Sequence, residues 1–225
     1  MTIKEGDLHL WRYTLDEAEY YKEKSQPLLS KDEQQRCSRF VNEAEKIRYT
    51  CNHRFVRQVL AKYINQPASE INFNLSDKGK PFLENSDILF NYSYRTTFGL
   101  LGISKRREIG IDIEKMKLLH DLKTFADFSF SEKEKEIIFK SSDETFQDTL
   151  FTFWTFKEAM IKAIGVGLNA DLTKIDLSDY YNTEVNKLGF NNTVYTMKQI
   201  NAGPGYKAAF ALKGTMNSYS EFKLD

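Results

Sequence analysis

ILFNYSYRTTFGLLGISKRREIGIDIEK, residues 88–115, is the stretch on which the fold turns. ILFNYSY, FGLLGIS and IGIDIE are three β-rich runs separated by RTT and KRRE, a pattern that predicts a β meander. In IGIDIE the side chains of a strand alternate, so Asp112 and Glu114 share one face while Ile111 and Ile113 take the other. Two carboxylates about 7 Å apart on one strand face are badly placed unless a cation joins them. Mg²⁺ suits hard oxygen donors at that spacing. A solvated face on an edge strand is the other reading, and this stretch alone leaves both open.

Outward from this stretch, the patterning changes to helix. Residues 43–64, EAEKIRYTCNHRFVRQVLAKYI, place Ile47, Cys51, Phe55, Val59 and Tyr63 at four-residue spacing, one apolar stripe that ends near Asn65 and Pro67. Before it, Ser30 followed by Glu33 predicts a capping box opening KDEQQRCSRF, within a charged helical region that begins at Asp16. DLHLWRY near the start alternates as a strand does, as does INFNL, and SDKGKPFL reads as a turn into an extended piece. Downstream, residues 131–148 read as charge-rich helix with a second capping box at Ser131 and Glu134. LFTFWTFKEAMIKAIG follows as an amphipathic helix stopped by Gly165 and Gly167. VYTMKQI and YKAAFALK are extended runs joined by the turn NAGPG. Helix followed by strands thus occurs twice, over 43–115 and 149–213. The expectation is an α+β fold of two related halves, 1–115 and 116–225, packed as one unit with a pocket at their seam.

Composition narrows the function. Lys plus Arg and Asp plus Glu number 32 each, so no global field attracts nucleic acid or an anionic membrane, and an anion site must be local. The start, MTIKEGDLHLW, lacks the pattern of a signal peptide, and apolar runs such as FGLLGI are too short to span a bilayer. Cys37 and Cys51 are too few for a disulfide framework, which suits inert thiols in a reducing cytoplasm. His9, His53 and His120 lie in no nucleophile motif.

A second chemical candidate is WTFKEAMIK, residues 154–162, where Trp154, Glu158 and Lys162 stack on one helix face. Phe153, Phe156, Met160 and Ile164 occupy another face and belong to a core. A strand with Asp-x-Glu and a helix with Glu-x-x-x-Lys together supply three oxygen ligands and a cation for phosphate charge. That set suits metal-assisted phosphoryl-type chemistry.

GIDIE at 110–114, followed forty residues after Glu114 by W-x-x-K-E-x-x-x-K, resembles the signature pair of the 4'-phosphopantetheinyl transferase superfamily. GKP at 79–81, FNYS at 90–93, RCSRF at 36–40 with Arg48, GVGL after Ile164, and PGYKAA at 204–209 resemble its larger, surfactin-synthetase-activating (Sfp) type. The resemblance implies transfer of 4'-phosphopantetheine from coenzyme A to a serine of an apo acyl or peptidyl carrier protein, with Mg²⁺, releasing adenosine 3',5'-bisphosphate. It implies Asp112, Glu114 and Glu158 as metal ligands, with Glu158 also the base for the carrier serine. Lys157 and Lys162 would hold the pyrophosphate, Lys80 and Pro81 the adenine, and Ser93 and Arg48 the 3'-phosphate. Tyr94 stands where the family usually has His, and Glu33 where a basic residue is common. Two related halves that build the seam internally imply a monomer.

Rival readings are a Mg²⁺-dependent nuclease and a non-catalytic carrier-binding module. The nuclease usually carries its Glu-x-Lys on a strand, whereas Glu158 and Lys162 need a helix to meet. Gly165, Gly167 and Ala170 spell G-x-G-x-x-A, but a helix precedes them where a dinucleotide fingerprint needs a strand. Lys105, Arg106 and Arg107 read as a solvated hairpin tip. FADFSFSEKE at 125–134 reads equally as core with a helix cap or as a carrier contact.

Overall fold

The computed structural model describes residues 1–14, 21–23, 27–167, 170–181 and 185–224; the onset of the helical region at Asp16 and Leu168 of GVGL lie outside them. The chain opens with strand β1 (Asp7–Thr14), followed by helices α1 (Lys31–Ser38) and α2 (Glu43–Ile64). A two-residue hairpin, β2 (Asn74–Leu75) with β3 (Pro81–Phe82), leads to β4 (Ile88–Arg95), β5 (Phe98–Lys105) and β6 (Ile109–Lys115). Helices α3 (Leu122–Ser129), α4 (Glu132–Lys140) and α5 (Asp143–Ile164) come next, then β7 (Val185–Phe190), β8 (Thr193–Ile200), β9 (Tyr206–Lys213) and β10 (Ser218–Lys223). The α+β class stands.

The strands form two four-stranded sheets, in the orders β10-β1-β5-β4 and β6-β9-β8-β7. Their inner faces meet through Leu8, Leu10 and Leu100 from one and Ile109, Ile111, Ile113, Phe210 and Leu212 from the other. The outer face of the first sheet is covered by α2 through Phe55, Val56, Val59 and Leu60. Helix α5 covers the second with Phe153, Phe156 and Met160. The molecule is therefore a helix–sheet–sheet–helix stack.

Two expectations change. The meander breaks after its second strand, because the far edge of β5 is already taken by β1; β6 pairs with β9 instead. Strand pairing accordingly divides the chain after β5, not at 115/116, and β10 returns to lie parallel to β1. The helix expected over 131–148 is also two helices. Helix α4 stops at Lys140, and Ser142, extended at ψ 159°, caps α5 from Asp143 onward.

The halves repeat in detail. β1-α1-α2-β4-β5 and β6-α4-α5-β8-β9 follow one order, and α2 and α5 are each 22 residues long. Both capping boxes form, and in each the glutamate reaches a buried cation of the long helix. Glu33 pairs with Arg57 at 2.7 Å and Glu134 with Lys157 at 2.6 Å, the two cations one hundred residues apart. Each cation also bonds a carbonyl of the following single-turn 3-10 helix: Arg57 to Ala68, Lys157 to Leu172. An uncompensated charge at either place would be costly, so each pair fixes a short helix against its long one.

Candidate active site

Strand β6 is the free edge of its sheet, and its outward backbone groups meet side chains rather than another strand. The Ile111 amide donates to Asn91 Oδ1 (2.7 Å), while the carbonyls of Ile109 and Ile111 accept from Lys80 and Lys162, each at 3.1 Å. Asn91 sits on β4, where alternation places Asn91, Ser93 and Arg95 on one side. That row faces β6 and stitches the two sheets together.

Helix α5 approaches β6 so closely that a Cβ on Gly110 would overlap the carbonyl of Ala159 and the amide of Ala163. The glycine of GIDIE thus brings Glu158 and Lys162 over Asp112 and Glu114. Lys162 Nζ lies 2.6 Å from Asp112 Oδ1 and 3.4 Å from Ser93 Oγ, and the Ser93 hydroxyl donates to the same carboxylate oxygen (3.2 Å). Arg95 holds Glu114 through two parallel bonds of 2.7 and 2.6 Å. Glu158 is buried and makes no hydrogen bond or ion pair among the described residues.

The electrostatics follow from this burial. Asp112 is 2 % exposed, which rules out a solvated strand face. Desolvation holds its carboxyl above the usual range, opposed by Lys162 and reinforced by Glu114. Burial likewise raises Glu158; Lys162 opposes the shift, and the charges of Asp112 and Glu114 add to it. Three carboxylates face two cations, so the cleft carries an excess of one negative charge when all are ionised.

Among the described residues no three acid, imidazole or thiol groups converge into a ready metal site. The donor set nevertheless fits a hard divalent ion. All its groups are carboxylates, Glu158 is unpaired, and Asp112 Oδ2 is buried without a hydrogen-bond partner. A metal there would compete with Arg95 for the Glu114 oxygens, while Asp112 keeps Oδ2 free of Lys162.

The remaining expected residues divide. Ser93 and Lys162 belong to the cleft, and Lys80 reaches its edge while paired with Glu108 at 2.7 Å. Pro81 is half-buried beside it. Arg48 is half-exposed on α2, paired with Glu45; both charges, with those of Arg36 and Arg95, act on the half-buried Tyr94. Burial is the main cause that raises the Tyr94 hydroxyl. Lys157 does not reach the cleft: it is fully buried against Glu134. Positions 157 and 162 lie five residues apart, about 140° around a helix, so they cannot share the face of Glu158. Glu33, standing where a base was expected, is spent on Arg57. Trp154 packs on Phe125 of α3, so the aromatic part of 125–134 is partly core, while Phe128 stays exposed. Asn91 and Arg95 were missed, although two-residue alternation from Ser93 points to both.

Two family models match the chain. "4'-phosphopantetheinyl transferase superfamily" covers residues 108–211, and "4'-phosphopantetheinyl transferase, N-terminal" covers residues 16–104. The junction between them falls where the sheets divide. The chain is 32 % identical over 182 residues to the 4'-phosphopantetheinyl transferase HetI of Nostoc sp., across 79 % of this chain and 76 % of that protein. It is 27 % identical over 208 residues to the 4'-phosphopantetheinyl transferase Sfp of Bacillus subtilis, across 88 % and 92 %. The solved holo-[acyl-carrier-protein] synthase of Thermotoga maritima covers 48 % of this chain and 63 % of its own at 18 % identity and a TM-score of 0.32, too loose to bear on the fold.

Proposed function

The chain belongs to the 4'-phosphopantetheinyl transferase superfamily, and on that premise we propose that it moves the phosphopantetheine arm of coenzyme A onto a serine of an apo acyl or peptidyl carrier protein. The reading is supported above all by Lys162, held between Asp112, Ser93 and the β6 backbone one helical turn from the unpaired Glu158. The carrier serine oxygen forms a bond to the phosphorus that bears the pantetheine arm. The pyrophosphate bridge to the adenosine side breaks, and adenosine 3',5'-bisphosphate leaves.

Each residue has a task in that step. Glu158, raised by burial and the two strand acids, takes the serine proton directly or through a water. Lys162 follows the charge that develops on the departing phosphate, where a placed cation is most effective. Asp112, Glu114 and Glu158 would hold Mg²⁺, which when bound neutralises pyrophosphate charge and polarises its oxygens. Arg48, beside Tyr94, is the cation for the 3'-phosphate, and Lys80 with Pro81 borders the adenine. Cys37 and Cys51 form no disulfide, which suits work in a reducing cytoplasm.

Intact-mass analysis of an apo carrier protein, incubated with this protein, coenzyme A and Mg²⁺, tests the proposal. A mass gain of one phosphopantetheine on the carrier serine is expected. An unmodified carrier, across acyl and peptidyl types, would overturn it.

A further inference from the structure

Arg95 has no part in the step just described, yet it makes the two-bond ion pair of the cleft. Its guanidinium bonds both oxygens of Glu114, at 2.7 and 2.6 Å. The other two acids keep something in reserve: Asp112 has its buried, unpartnered Oδ2, and Glu158 is unpaired among the described residues. Glu114 has both oxygens engaged while Arg95 stays. The two partners also differ in freedom, since the Glu114 side chain is 13 % exposed and that of Arg95 is 51 % exposed. Arg95 ends β4, immediately before Thr96 turns the chain at φ 50°, so the guanidinium can leave Glu114 without disturbing the core.

We propose that Arg95 is an exchangeable lock on Glu114 that couples divalent-metal binding to coenzyme A binding, an inference that rests on the transferase reading. Without nucleotide, the metal must displace a fork-to-fork ion pair and tolerate a neighbouring positive charge. A pyrophosphate entering the cleft gives the planar guanidinium another bidentate partner and frees Glu114 for the metal. Coupling of this kind is reciprocal, so the metal also strengthens the hold on the nucleotide. Lysine could not replace this arginine fully, because an ammonium is a point charge that does not engage both carboxylate oxygens in parallel.

Calorimetry on the full chain separates the possibilities, using Mg²⁺ alone, coenzyme A alone, and Mg²⁺ in the presence of coenzyme A. In the wild type, Mg²⁺ should bind several-fold more tightly once coenzyme A is present. R95A and R95Q should bind Mg²⁺ alone about tenfold more tightly than wild type, the scale expected for removing one adjacent charge. In both, coenzyme A should then tighten Mg²⁺ binding by a smaller factor than in the wild type, and R95K should fall between. Circular dichroism confirms that the variants are folded, and the glutamine variant keeps a side chain in place should alanine loosen the strand end. Unchanged or weaker Mg²⁺ binding by both R95A and R95Q, with coenzyme A still bound, overturns the lock and leaves the transferase reading intact. Failure of the wild type to bind coenzyme A overturns both.

Discussion

Glu158 acquires its character from burial and from a neighbouring element: Asp112 and Glu114 on β6 add to the shift that burial begins. Its substitution by the isosteric glutamine keeps the shape of α5 and removes the proton acceptor. Glu158→Gln should lower the transfer rate at least about 100-fold, the lower range for a lost general base, with the melting temperature little changed. Time-resolved intact-mass analysis of the carrier reads the rate, and near-normal transfer would remove Glu158 from the mechanism. His53 illustrates a different use of burial. Its Nδ1–H donates to the Tyr49 carbonyl at 2.8 Å, so Nε2 accepts from the Tyr92 hydroxyl at 3.3 Å. Desolvation lowers its pKa below the ordinary value of 6.5, so the unfolded chain takes up a proton first as pH falls. The contribution of His53 to stability is full above about pH 6.5 and declines as pH drops through the window below it. The urea midpoint of the wild type should therefore fall between pH 7 and pH 5 by more than that of His53→Gln. Parallel pH profiles for the two proteins would show that the imidazole is not the group responsible.

At the scale of elements, the α4–α5 contact rests on a buried pair whose two side chains are both fully shielded from solvent. Lys157→Met leaves Glu134 without its cation in that interior and should cost about 3–5 kcal/mol in urea denaturation. The transfer rate per folded molecule should hold, because Lys157 touches Leu172 and Glu134 rather than the cleft. Lys157→Arg, which copies the residue at Arg57, should retain most of the stability. A Lys157→Met protein that stays stable but loses coenzyme A affinity would return this lysine to the phosphate site. The capping boxes at Ser30 and Ser131 were legible because a cap and its N3 glutamate sit three residues apart in sequence. Their cations were not, since Arg57 and Lys157 meet them only after a second helix packs. The assignment of Lys157 to the pyrophosphate went astray for a related reason: a linear motif counts positions, whereas a helix sorts them by angle. Asp112, Glu114, Glu158 and Lys162 were legible as a set because each motif lies within one element. The partner of β6 was not, because strand pairing depends on which edges are already occupied. That was also why the meander failed.

For the whole molecule, the repeat explains why one acid cluster suffices. Under α2, the β1 positions that correspond to Asp112 and Glu114 hold Trp11 and Tyr13, and Gln58 stands one hundred residues before Glu158. At these three positions the symmetry-related cleft therefore carries no acid. Its edge is also closed, because β10 pairs in parallel with β1 where β6, among the described residues, has no strand beside it on the corresponding side. Phe222 of β10 stacks on Trp11 with ring centroids 5.1 Å apart, and it also contacts the ring of His9. One chain thus contains both halves of its seam, and β10 covers the strand edge on which a second copy could otherwise pair. We expect the full chain to be a monomer by light scattering at micromolar concentration; an obligate dimer would contradict this account of the seam. Ending the chain after Met216 makes the sharper test. It exposes the β1 edge and uncovers Trp11, while Asp112, Glu114, Glu158 and Lys162 keep every contact described above. The shortened protein should melt several degrees lower and associate as its concentration rises, because an open apolar edge recruits another strand. Dilute samples should still label a carrier protein, since no β10 residue enters the cleft. A truncated chain that melts and scatters like the full one would mean that β10 is an ornament on the first sheet, and that something other than edge coverage keeps the molecule single.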